Sequence, residues 1–262
     1  MSSVWRTAII IAGLTLLWYA PIWMFDTPHY ILPAPHRVLQ TWYHSVPLLA
    51  EHALTTMTEI VLGLLIGAML GMFSAVVMVR FRGAHRWLMP VLVISQALPV
   101  FALAPILVLW LGYGLASKVA MAVLIIYFPV TAACYDGMRH ANPGWLDLAH
   151  SLGADDRAII RYIRFPAALP ALASGLRIAA SVAPIGAVVG EWVGSSRGLG
   201  YLMLHANARM QIDLMFAALL TLAVFALCLY FALDKLLSRV LYWQPKTLAG
   251  NMPMQVSERS GK

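Results

Sequence analysis

The stretch DLAHSLGADDRAIIRYIRFPAALP, Asp147–Pro170, is a charged passage with a glycine hinge inside a chain that is 61% hydrophobic. Hydrocarbon rejects such a passage, so it must lie at a surface, and the apolar blocks on either side must be read separately from it. Those blocks run to about twenty residues, long enough to cross a hydrocarbon core of roughly 30 Å as helices. Lipid leaves no water for bare backbone, so only helices or closed barrels can span it. The period-two alternation of barrel strands is absent. The chain is therefore expected to be all-α, a polytopic membrane protein.

Composition agrees. The 262 residues are 11% charged, about half the fraction of an ordinary soluble domain, and the mean hydropathy is +0.77. The net charge of +7 does not signal nucleic acid, because the basic residues are dispersed through short loops between apolar blocks. Cys134 and Cys228 both sit inside such blocks and read as small core-facing apolar residues, not as a disulfide.

Six spans are expected, at about 7–25, 54–79, 88–111, 119–138, 169–190 and 214–237. They form a single transmembrane domain, followed by a polar tail at about 245–262. The first block is long and lacks a small-x-small cleavage site, so it reads as an uncleaved anchor. Lys and Arg crowd one side, among them Arg80, Arg82, Arg86, Arg139, Arg157, Arg161, Arg164, Lys235 and Arg239. Arg37, Lys118, Arg197 and Arg209 fall on the other. That asymmetry puts both termini, and the passage at Asp147, in the cytoplasm.

Two outer segments carry structure of their own. Pro35–Val46 places Val38, Leu39, Trp42 and Tyr43 at helical spacing, as in a helix lying in the interface. Glu191–Arg209 reads as a glycine turn and a short outer helix. Gly63, Gly67, Gly71 and Ala75 recur every fourth residue and permit close helix approach, either within one subunit or between two. Pro90, Pro99, Pro105, Pro129 and Pro184 interrupt three spans, and each removes a helix hydrogen bond. Such interruptions are tolerated where backbone faces protein or a watery path.

Within the opening passage Asn142 is a good N-cap and Pro143 a good first helical residue. Gly153 can take the left-handed position that ends this helix. Asp155 can cap a second helix carrying Arg157, Arg161 and Arg164, which Pro166 and Pro170 should end near the next span. The product is a short cross-axis helix, a bend and a basic helix. It is either a knob for a cytoplasmic partner or an amphipathic connector on headgroups.

The passage resembles the signature loop of bacterial ATP-binding-cassette importer permeases: Glu-Ala-Ala, three residues, Gly, then a later Leu-Pro. Here it reads Asp147-Leu148-Ala149, His150-Ser151-Leu152, Gly153-Ala154, with Phe165-Pro166 at the far end. The departures, Asp for Glu, Leu for the first Ala and Phe for Leu, keep the charge and the hinge. ILPAPHRVLQTW (Ile31–Trp42), ALPVFALAPILVLWLGYGLASKVAM (Ala97–Met121), FPAALPALASGLRIA (Phe165–Ala179) and GEWVGSSRGLGYLM (Gly190–Met203) are similar to the nitrate, taurine and alkanesulfonate branch. YFPVTAACYDGMRHANPGWLDLA (Tyr127–Ala149) resembles permeases for thiamine pyrimidine precursors such as hydroxymethylpyrimidine.

The resemblance implies a permease in the bacterial inner membrane, working as one of two transmembrane subunits, with a homodimer expected. A cytoplasmic ATPase would grip a coupling helix comprising Asp147, Leu148, Ala149, Leu152, Gly153, Ala154 and Asp155, within a segment at about 142–165. A solute-binding protein would deliver substrate outside. The chain itself has no G-x-x-x-x-G-K-[ST] phosphate loop. It is therefore expected to be no enzyme and to bind no cofactor, with ATP and magnesium on the partner.

Glu59 is a candidate for the translocation pathway, because a carboxyl within a span is costly unless it is paired or wet. A partner on another helix is the competing reading. Gln96, Pro99, Tyr127 and Glu191 are further pathway candidates. Arg177 is expected to snorkel to headgroups. A membrane-embedded enzyme is disfavoured, since the eight histidines form no H-x-x-x-H pair on a span. A channel or secondary transporter, working without an ATPase, is the remaining class.

Overall fold

The computed structural model describes residues 3–243, which form helices and connecting turns with no strand among them. The polar tail expected at 245–262 lies outside the described residues. In chain order the helices are α1 (Ser3–Phe25), α2 (Pro35–His44), α3 (Val46–Arg80), α4 (Arg82–Ala97), α5 (Val100–Leu111), α6 (Leu115–Arg139), α7 (Pro143–Ser151), α8 (Asp156–Ile159), α9 (Phe165–Gly194), α10 (Leu199–Ala208) and α11 (Ile212–Val240).

Four runs are long and apolar enough to cross a bilayer: α3, α6, the continuous run Asp156–Gly194, and α11. The pair α4 and α5 makes a fifth if it is taken as one broken span. The third block, expected as one span over 88–111, is instead two helices meeting at 106°. The break is at Leu98–Pro99. Pro99 has no N–H to donate and pushes Leu98 out of the helical region, to ψ 128°. Pro90, Pro105, Pro129 and Pro184 all remain inside helices.

A second difference lies at the far end of the opening passage. Pro166 and Pro170 do not end the basic helix. It runs on into α9 through a π-helical turn at Ile160–Arg164. Proline in a helix leaves the carbonyl four residues back without a donor and crowds it. A wider turn placed just before Pro166 relieves that clash without breaking the rod.

α6 sits at the centre, with α3 on one side and α9 on the other. The small-residue stripe makes the first of these contacts. A Cβ at Gly63 would come within 2.5 Å of Ala122 Cβ, and from the opposite side one at Gly186 would come within 2.7 Å of Ala122 Cα. Gly67 and Gly71 face Ile126 and Val130 in the same way. The stripe therefore packs within the subunit. Ile60, Ala75, Ile126, Val130, Cys134, Ala179, Ala183 and Ala187 complete this dry seam.

Polar contacts add to the packing of the peripheral elements. Trp42 of α2 donates through Nε1 to Thr221 Oγ1 of α11 at 3.0 Å, while Tyr43 stays exposed. Arg177 does not snorkel. It holds Asp234 of α11 at 2.7 Å, crosslinking α9 to α11. Cys134 is buried as expected, but Cys228 faces outward.

Candidate functional site

Three features carry functional geometry: the Asp147–Pro170 passage, a buried charge cluster at the other end of the bundle, and a cleft at the α4–α5 break.

In the passage the backbone follows the sequence closely. Asn142 Oδ1 accepts from Gly144 N at 2.9 Å. At the end of α7, Gly153 N donates to His150 O and Ala154 N to Ala149 O, both at 3.0 Å. With Gly153 at φ +76°, these two bonds complete a Schellman motif. Asp155 Oδ1 then accepts from Ala158 N at 2.8 Å and starts α8. Arg80 of α3 pins the second arm through Asp156 at 2.8 Å. Ala149 is buried, whereas Trp145, Leu148, Leu152 and Tyr162 are exposed. They border an apolar groove of about 560 Å³ floored by Ala149, Pro166 and Pro170.

At the opposite end, Glu59, Lys118 and Glu191 meet although α3, α6 and α9 supply one each. Glu59 is fully buried and Glu191 is 1% exposed. Lys118 Nζ lies 3.2 Å from Glu59 Oε1 as an ion pair and donates to Ser195 Oγ at 2.7 Å. Neither Glu59 oxygen has a well-aligned hydrogen bond.

Glu191 has a different task. Its Oε1 accepts from Thr56 Oγ1 at 2.6 Å, and its Oε2 accepts from the backbone N–H groups of Gly200 and Tyr201. These are orphan donors of the first turn of α10. Gly198, the N-cap of α10 at φ +118°, has no side chain to satisfy them, so a carboxylate from α9 does so. Its negative charge also favours that end of the helix dipole. A Cβ at Gly198 would collide with the Glu191 carboxyl. His52 Nδ1 and Thr56 Oγ1 accept from Gly198 N and Leu199 N, closing the elbow onto α3.

The cleft lies between the α4–α5 break, α6 and α9, with a volume of about 590 Å³. Gln96 and Ser95 stand on its wall beside Phe128, Leu124 and Ile178. Pro99 forms the bend that shapes it. No ionisable side chain lines it.

The five pathway candidates therefore separate. Gln96 and Pro99 belong to the cleft. Tyr127 turns to α3 and donates to Ser74 Oγ at 2.8 Å. Glu59 and Glu191 are sealed in the buried cluster. Lys118, Thr56 and Asp234 are partners that the sequence alone does not assign. One signal was available, a lone lysine opening one apolar block and a lone glutamate inside another.

Comparison with known proteins adds the following. Residues 63–242 match the family described as binding-protein-dependent transport system inner membrane component. A probable ABC transporter permease protein of Haemophilus influenzae is 57% identical over 90% of this chain and 97% of its own length. The formylaminopyrimidine transport permease protein ThiX of Halalkalibacterium halodurans is 36% identical over 89% of this chain and 93% of its own. The riboflavin transport system permease protein RibX of Chloroflexus aurantiacus is 35% identical, covering 87% and 85%.

Proposed function

The chain belongs to the family of binding-protein-dependent transport system inner membrane components, and on that premise we propose that it is the permease subunit of an ATP-binding-cassette importer for a small uncharged nitrogen heterocycle, best represented by a thiamine pyrimidine precursor such as hydroxymethylpyrimidine. The observation that carries the substrate reading is the cleft at the α4–α5 break. Its wall offers the Gln96 amide, which both donates and accepts, and the Phe128 ring, with no charge. A flat ring with amino and ring-nitrogen groups matches that chemistry. Nitrate, taurine and alkanesulfonates each carry an anionic group, and an anion in an uncharged cleft would lose hydration without a counter-charge. The two relatives named for transport of formylaminopyrimidine and riboflavin support the same class.

The remaining parts follow the family pattern. Six crossings count α1 and the bent α4–α5 pair, with both termini in the cytoplasm of a bacterial inner membrane. Asp147–Asp155 is the coupling helix. An apolar rim of Trp145, Leu148 and Leu152 outside the bilayer calls for a protein cover, and the cover is a cytoplasmic ATPase that holds ATP and magnesium. A solute-binding protein docks at the other face, and a second copy of the chain completes the pathway.

The test is reconstitution. The purified chain should hydrolyse no ATP alone. With its ATPase and binding protein in vesicles, it should couple hydrolysis to uptake of hydroxymethylpyrimidine. Uptake of the pyrimidine by the chain alone would make it a channel or secondary transporter. Coupled uptake of taurine or nitrate in preference to the pyrimidine would overturn the substrate class. Within the cleft, Gln96→Leu should lower uptake about tenfold, the worth of one or two lost hydrogen bonds, with normal amounts of protein in the membrane. Unchanged uptake would take Gln96 out of the pathway.

A further inference from the structure

A basic cavity of about 670 Å³ lies at the passage end of the bundle, where α3 meets α4 and the ends of α6 and α8 converge. Arg80, Arg82, Arg86, Arg139 and Arg164 line it, against a single carboxylate, Asp156. That carboxylate is already bound by Arg80 at 2.8 Å. Among the described residues no ion pair forms at Arg82, Arg86, Arg139 or Arg164. Four guanidinium groups converging on one concavity give it a positive field that attracts an anion. His85 adds to the demand. Its ring stacks on Tyr135 at 4.9 Å, and its buried Nδ1 has no hydrogen-bond partner.

His85 and Arg86 also open a second, apolar groove of about 510 Å³ along the outward face of α4, past Met89, Pro90, Val93 and Ile94. Val93 and Ile94 are more than half exposed. A basic chamber that shares His85 and Arg86 with an apolar groove on a membrane helix suits an amphiphile, headgroup in one part and acyl chain in the other. A free phosphate would fill only the chamber. A segment of soluble protein would not need the channel. Basic pockets between spans are a known mode of anionic lipid recognition.

We propose that this chamber and groove form a site for an anionic phospholipid, its phosphate held by Arg82, Arg86, Arg139 and Arg164 and one acyl chain lying along α4. The proposal requires that the chain span a bilayer. It is independent of which solute is carried.

The test uses the purified full chain in detergent, titrated with short-chain phosphatidylglycerol, short-chain phosphatidylcholine or inorganic phosphate, with binding followed by native mass spectrometry. Phosphatidylglycerol should bind at least about tenfold more tightly than phosphatidylcholine. Each arginine near the headgroup contributes about fivefold, so Arg86→Gln with Arg139→Gln should weaken phosphatidylglycerol about 25-fold. Lys235→Gln with Arg239→Gln, on α11 and outside the chamber, should change nothing. If the double chamber variant fails to insert, Arg86→Gln alone should still show its fivefold loss, and retention of native lipid through purification gives a second measure. Equal binding of both phospholipids overturns the proposal. So does inorganic phosphate binding as tightly as phosphatidylglycerol, which would mark a free-anion site. Displacement of bound lipid by the purified ATPase would make the chamber a protein seat, and overturns it equally.

Discussion

Replacing Lys118 with methionine is expected to destabilise the folded chain by about 3–5 kcal/mol, the cost of removing one partner from a buried ion pair. Methionine is unbranched and only one heavy atom shorter than lysine, so packing is nearly preserved and the loss is mainly electrostatic. Glu59 would face no cation, with the Glu191 carboxyl close enough to interact with it, and neither can reach water from its fully buried position. Thermal unfolding in detergent measures the effect. Lys118→Met combined with Glu59→Leu removes both members, and should recover more than half of the loss, since a buried pair can be exchanged for apolar groups at little net cost. A single variant as stable as the parent would show that Lys118 and Glu59 are independent. A double variant no better than the single would place the damage in packing.

Gly153→Val is expected to lower transport strongly while leaving insertion intact. The residue has φ +76° and open space within 4 Å of a Cβ, so the cost is backbone conformation and not collision. A β-branched residue there is strained by about 1–2 kcal/mol, enough to weaken docking of α7 about five- to thirtyfold. Uptake in cells and co-purification of the ATPase should fall together. Gly153→Asn is the control, because asparagine visits the left-handed region at lower cost, and it should retain most activity. Equal damage from Asn and Val would mean that the site excludes any side chain. Normal behaviour of Val would reduce the bend to a connector.

The sequence was most legible where backbone chemistry is local. Asn142, Gly153 and Asp155 act within four residues of themselves, and all three hold the positions that their side chains favour. Helix identity was also legible, since an apolar block of twenty residues has few alternatives. The π-helical turn at Ile160–Arg164 was not, because it reconciles two prolines with a helix through a bond pattern that no single residue announces. The break at Leu98–Pro99 was half legible: proline marked the place, but only packing against α6 and α9 fixes a turn of 106°. The Glu59–Lys118 pair spans 59 positions and depends on which face of α6 meets α3. That face is set by Gly63 lying against Ala122, a close fit that reveals itself only after the helices are assembled.

The π-helical turn has one mechanical outcome. Because it lets the chain pass Pro166 and Pro170 without a break, the run from Asp156 to Gly194 is one unbroken strut of 39 residues, roughly 58 Å at 1.5 Å per residue. Asp156, clasped by Arg80, is at one tip, and Glu191, capping α10, is near the other. A strut pivoting about its middle by roughly 10° swings each tip through about 5 Å, in opposite senses. Displacement at the Asp156 tip would then reach the elbow formed by Gly198 as leverage. No chain of intervening side chains has to relay it.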